Sequence, residues 1–165
     1  MKRFLIILLT FIMSVFLLLT VGCGASCAPD NYGTDQGQNT PNDGTEITEM
    51  YITVNGNKLK VTLEQNFSVN ALVELLKQGD ITYTAHANSF EIYGDIGHSL
   101  PTNNTHITSK TGDVLLWAGS NICIFFGNNS YSYTRIGKIN GYSASELRTL
   151  LGADHGSVQV TISLQ

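Results

Sequence analysis

The sequence predicts a mainly β fold, a small closed barrel capped by two short α-helices. Three observations carry that reading: several runs in which apolar and polar residues alternate, one strong hairpin signal, and two short apolar stretches with helix caps. Met50 to Val54 and Leu59 to Leu63 flank Asn55-Gly56, a pair that tolerates the positive φ a two-residue hairpin turn requires. Ser68 is a candidate N-cap for a helix over Val69 to Gln78, with Phe67 and Leu72 in staple positions, Gly79 as terminator, and Leu72, Leu75 and Leu76 as the buried stripe. Ile81, Tyr83, Ala85 and Ala87 alternate with polar residues as a half-buried strand. Two further strands follow, Val114 to Trp117 and Ile122 to Phe126. The second is apolar on both faces, which predicts cover on both sides.

The later helix has the fuller signature. Ser143 caps it, Glu146 completes an S-x-x-E box, Tyr142 and Leu147 can staple, and Gly152 ends it, with Leu147, Leu150 and Leu151 inward. Val158, Val160, Ile162 and Leu164 form a closing strand. The folded region thus begins and ends in β structure, so its edges can be joined.

The N-terminus reads as an export signal. Met1-Lys2-Arg3 precedes a stretch from Phe4 to Val21 without charge, and the stretch ends in T-V-G-C, small residues before Cys23. This resembles a bacterial lipobox, which implies a signal peptide over 1–22, lipid on Cys23 and a mature chain anchored in the cell envelope outside the cytoplasm. An uncleaved membrane helix is the competing reading, and Cys27 is a second candidate for lipidation. Residues 23–46 read as a disordered tether. From Gly24 to Thr45 there is no Ile, Leu, Val, Met or Phe, and a flexible coil of that length spans on the order of 25 Å. Residues 47–165 form the remaining domain.

Loss of the leader removes two of nine Lys+Arg and none of thirteen Asp+Glu, leaving a net charge of −6. An acidic chain is a poor partner for nucleic acid, whose affinity rests on neutralised phosphates. Membrane attachment therefore falls to lipid on Cys23 rather than to charge. Cys123 lies in an apolar strand and reads as a small buried hydrophobe, not as a disulfide partner for Cys27.

The segments G-D-V-L-L-W-A-G-S-N-I-C-I-F-F-G (112–127) and S-Y-S-Y-T-R-I-G-K-I (130–139) carry a family resemblance. With the hairpin M-Y-I-T-V-N-G, the helix S-V-N-A-L-V-E-L-L and F-E-I-Y-G-D-I-G-H-S-L-P (90–101) in the same order, the chain resembles the bacterial cyclophilin-like fold family over Met50 to Gln165. That resemblance implies a closed barrel with a helix at each end. It does not imply prolyl isomerase activity: cyclophilins work with an arginine on a barrel strand beside a phenylalanine and a glutamine, and that strand segment has no counterpart here.

Tyr131, Tyr133 and Arg135 share parity, so an extended strand points them to one side. They read either as a recognition stripe, with rings for an apolar group and the guanidinium for an anion, or as ladder packing of a sheet. Glu91, Tyr93 and Asp95 read as a Gly-flanked loop within reach of Arg135, and an Arg135–Glu91 ion pair is the structural outcome. His86, His98, His106 and His155 are scattered. No metal, cofactor or catalytic residue is expected. The expectation is a binding module for a small molecule or a peptide segment, with Tyr131, Tyr133, Arg135, Glu91 and Tyr93 at the site. A diverged prolyl isomerase acting on exported proteins is the alternative.

Overall fold

The computed structural model describes residues 46–165. The predicted leader, Cys23, Cys27 and nearly all of the tether lie outside the described residues. Among the described residues no helix is long and apolar enough to cross a membrane.

Eight antiparallel strands close into a barrel. In chain order they are β1 (Glu49–Val54), β2 (Asn57–Leu63), β3 (Ile81–Ala87), β4 (Glu91–Asp95), β6 (Asp113–Trp117), β7 (Asn121–Phe125), β8 (Ser130–Ile139) and β9 (Ser157–Ser163), while β5 (Thr105–Thr108) stands outside the ring. The ring runs β2-β1-β9-β3-β4-β7-β6-β8, and β8 returns to β2. First and last strands are joined, Ile52 opposite Ile162, and the closing seam sets Val61 opposite Ile139 and Leu63 opposite Gly137. Closure leaves the ring no free edge.

The hairpin forms where Asn55-Gly56 predicts it, with φ values of 49° and 78°. Inward residues alternate as expected: Met50, Ile52, Val54, Leu59, Val61, Val160 and Ile162 are all buried in one core. Helices α1 (Phe67–Leu76) and α2 (Ala144–Leu150) cover opposite ends of β2. Asn66, just beyond the Leu63 end, caps α1, whereas the Asn57 side chain reaches the Leu150 carbonyl of α2. Leu72 and Leu76 of α1, and Leu147 and Leu151 at α2, complete the core from those ends. The predicted capping box of α2 is present in both directions.

Three expectations need correction. The helix α1 starts two residues early because Asn66, not Ser68, accepts from the Val69 amide. Ser68 is buried and donates to the Pro101 carbonyl, while Phe67, the supposed staple, is 84% exposed. Glu91, Tyr93 and Asp95 belong to a strand, not a loop, because the segment pairs with β7 along its whole length.

The third correction concerns the single strand expected to carry Tyr131, Tyr133 and Arg135 together, because β8 changes partners between them. Its second half builds the barrel wall against β6 and β2, but Ser130 to Tyr133 pair only with β5. The two segments form a ribbon over the outer face of the barrel. Beneath it lies a second apolar cluster of Leu115, Cys123, Phe125 and Tyr133, with Phe90, Tyr93 and Ile107 at its margin. This explains why β7 is apolar on both sides: Ile122 and Ile124 face the interior, while Cys123 and Phe125 face the ribbon. A β-bulge marks the change of role. Arg135 opposes Leu115 and Gly137 opposes Val114, so Ile136 is the extra residue that bends β8 from ribbon into wall.

Candidate functional site

The ribbon does not cover the outer face completely. Beside it lies a cleft of about 360 Å³ lined by Asn88, Glu91, Tyr93, Trp117, Cys123, Asn129, Tyr131 and Tyr133. Register explains the gathering. Tyr93 of β4 stands opposite Cys123 of β7, which stands opposite Leu115 of β6. Outward side chains from three neighbouring strands thus make one floor. The ribbon then supplies Tyr131 and Tyr133 as a wall.

The walls are aromatic and fixed by contact. Tyr93 meets Trp117 edge-on at 6.4 Å between ring centroids, Tyr131 meets Tyr133 at 5.7 Å, and Tyr133 meets Phe125 at 5.5 Å. These spacings fall within the attractive range for edge-to-face pairs. Tyr133 is 3% exposed, and its hydroxyl accepts from Asn129 Nδ2 at 2.8 Å. Burial pushes its phenol up from the usual value. Tyr131 and Trp117 are 53% and 39% exposed, so they form the rim.

One charged side chain reaches the cleft from below. Glu91 is 7% exposed and follows a turn built by Asn88, whose Oδ1 accepts from the amides of Phe90 and Glu91. The Asn88 Nδ2 then donates to Glu91 Oε1 at 3.0 Å. The other oxygen, Oε2, is buried without a hydrogen-bond partner. Burial is the main cause that raises the carboxyl above its ordinary value of 4.5. Cys123 lies close enough to feel that charge. Its thiol is pushed far up, first by burial and then by Glu91, and stays protonated. The folded chain therefore holds the Glu91 proton to higher pH than the unfolded chain does. On the sign of the linkage, this group costs stability as pH rises from 4.5 through the raised value.

Four of the five residues expected at a site, Glu91, Tyr93, Tyr131 and Tyr133, line this cleft. Arg135 does not. It shares the outward parity of the two tyrosines, but its side chain is exposed, and its backbone is held in the wall opposite Leu115 and by Asn66 Nδ2 on its carbonyl. Among the described residues Arg135 makes no ion pair, with Glu91 or otherwise. Trp117, Cys123, Asn88 and Asn129 were missed. The first two left a signal, a lone tryptophan ending a buried strand and a cysteine on the second apolar face of β7. The asparagines left none beyond their places in turns. Asp95, three residues before His98, accepts from the Gly97 amide and the Ser120 hydroxyl. Among the described residues no group of three or more His, Cys, Asp or Glu is placed to hold a metal ion.

No functionally curated protein matches the sequence. Among solved structures, a hypothetical protein from Archaeoglobus fulgidus is similar with a TM-score of 0.56 and 18% identity, over 75% of this chain and 99% of that one. McbB, solved in complex with tryptophan, aligns with a TM-score of 0.45 and 15% identity, over 69% of this chain and 44% of its own. At 18% identity the likeness to the Archaeoglobus protein is one of fold. A family model described as the cyclophilin-like family matches residues 52–163, which is the barrel almost from end to end. The chain belongs to the cyclophilin-like family.

Proposed function

We propose that this protein is a binding module, lipid-anchored outside the cytoplasm, that holds a small molecule in the cleft between the ribbon and the outer barrel face. The observation that carries the reading is the cleft itself, with four aromatic side chains around a buried carboxylate. Binding sites are concave, mostly apolar and furnished with few polar groups, and this cleft has that makeup. We favour it over a prolyl isomerase because the one arginine near this face, Arg135, does not line the cleft.

Trp117 is the sole tryptophan of the chain, so its emission reports on the rim without interference. Titration with p-cresol is expected to shift that emission. Tyr131→Ala should weaken the response about tenfold, in line with loss of a stacked ring, and Arg135→Ala should leave it within about twofold. Unchanged emission at every concentration, or equal loss in both variants, would remove the cleft as the site.

The anchor is supported by the basic start, the uncharged stretch to Val21 and the small residues before Cys23. Cells grown with an alkyne-labelled fatty acid should label the protein, and Cys23→Ser should abolish the label. Labelling that survives Cys23→Ser and disappears with Cys27→Ser would move the anchor.

A further inference from the structure

Resting on that cleft reading, the geometry points to a protonated amine as the ligand's polar group, seated on Glu91 Oε2 with its apolar portion between the rings of Tyr93, Trp117 and Tyr131. The unusual feature is a buried carboxylate oxygen that no N–H or O–H group reaches. Glu91 lines the cleft and lies more than nine-tenths buried, one oxygen held by Asn88 and the other buried without an N–H or O–H partner. Buried polar atoms are nearly always satisfied, so an orphan at the base of a cleft marks a bond completed by something that enters.

The surroundings select which group enters. Among the described residues no Lys, Arg or His lines the cleft. Lys138, which shares the outer face, is held by Asp113 at 2.6 Å. The Cys123 thiol neighbours the Glu91 carboxyl and interacts with it, but it is neutral and only a weak donor, so it leaves the carboxylate's charge unmatched. A ligand carboxylate or phosphate meets like charge with no cation to offset it. An alcohol satisfies the bond but leaves the charge unmatched. An ammonium does both, and the negative faces of the surrounding rings favour it further. A bulky anion-binding role is excluded on the same ground. The aromatic walls and the volume of about 360 Å³ suit an amine that carries one ring or a short alkyl body.

Three probes of equal reach decide it, measured by calorimetry on the full chain: phenethylamine, 2-phenylethanol and 3-phenylpropionate. The amine is expected to bind about tenfold more tightly than the alcohol, and the acid most weakly. Glu91→Gln should erase the amine's advantage while leaving the alcohol within roughly threefold, since the ring contacts remain. The same variant should fold with a melting temperature at neutral pH above that of the parent, because it removes an uncompensated buried charge. Equal binding of all three probes, or an amine preference that survives Glu91→Gln, overturns the inference while the cleft reading stands. Failure of every probe, with Trp117 emission unmoved, overturns both. A blocked peptide with a single lysine distinguishes the source of the amine: stronger binding of the peptide than of phenethylamine supports the same chemistry from a protein side chain.

Discussion

Gly137→Ala is expected to break the barrel at its seam and to cost roughly 3 kcal/mol or more, as overpacking against rigid neighbours does. Gly137 lies on β8 opposite Leu63 of β2 and Val114 of β6. A Cβ there meets the Thr62 carbonyl oxygen inside contact distance, and Val61 Cγ1 at 2.8 Å. Neither can yield cheaply: the first is backbone within the closing ladder and the second belongs to a fully buried side chain. A strand glycine whose neighbour's backbone approaches this closely has a steric reason to lack a side chain. Chemical denaturation should show a large loss in midpoint with a broadened transition. A variant within about 0.5 kcal/mol of the parent, the range of an ordinary surface change, would mean that the seam is looser than its register implies.

The second large effect is expected from Phe125→Ala, at about 3–5 kcal/mol. Phe125 is fully buried, yet it belongs to the outer cluster rather than to the barrel interior. Its ring stacks on Phe90 at 6.1 Å with planes 6° apart and receives Tyr133 edge-on. Deleting it removes the support under the ribbon and leaves a cavity beside the cleft floor. The barrel interior keeps all its contacts. The loss should therefore appear as early hydrogen exchange at Thr105–Thr108 and Ser130–Tyr133, with the amides of β1 and β9 protected until global unfolding. Simultaneous exchange of both regions would show that ribbon and barrel are one cooperative unit.

Much of the barrel was legible because its signals are local. Asn55-Gly56 states its turn in two residues, and Ser143 with Glu146 states a helix start in four. Alternation in β3 and β9 names the inward face directly. The missed elements lack such signals. β5 is four residues with a single apolar member, Ile107, so nothing in it alternates. β4 contains Gly94, which reads as a loop residue, although a Cβ there would run into the Tyr83 ring and the backbone of β3. At α1, Asn66 and Ser68 are both good caps, and only the tertiary contact of Ser68 with Pro101 decides between them.

The candidate site was half legible for a related reason. Parity put Tyr131 and Tyr133 together correctly, since period 2 holds up to the bulge. It also assigned Arg135 to their stripe, and there it failed, because Tyr131 and Tyr133 belong to the ribbon while Arg135 is already in the wall. No sequence pattern records where one strand leaves one partner and takes another. The orphan oxygen of Glu91 is a fact of three-dimensional accounting and was invisible for the same reason.

A single continuous strand spans both layers, so the outer tyrosines and the last hydrogen bonds of the ring are links in one mechanical chain. An occupant that levers the tyrosines outward pulls lengthwise on the joint where the cylinder fastens. The other end of that strand, Gly137 to Ile139, is what clasps Leu63 to Val61 and shuts the cylinder.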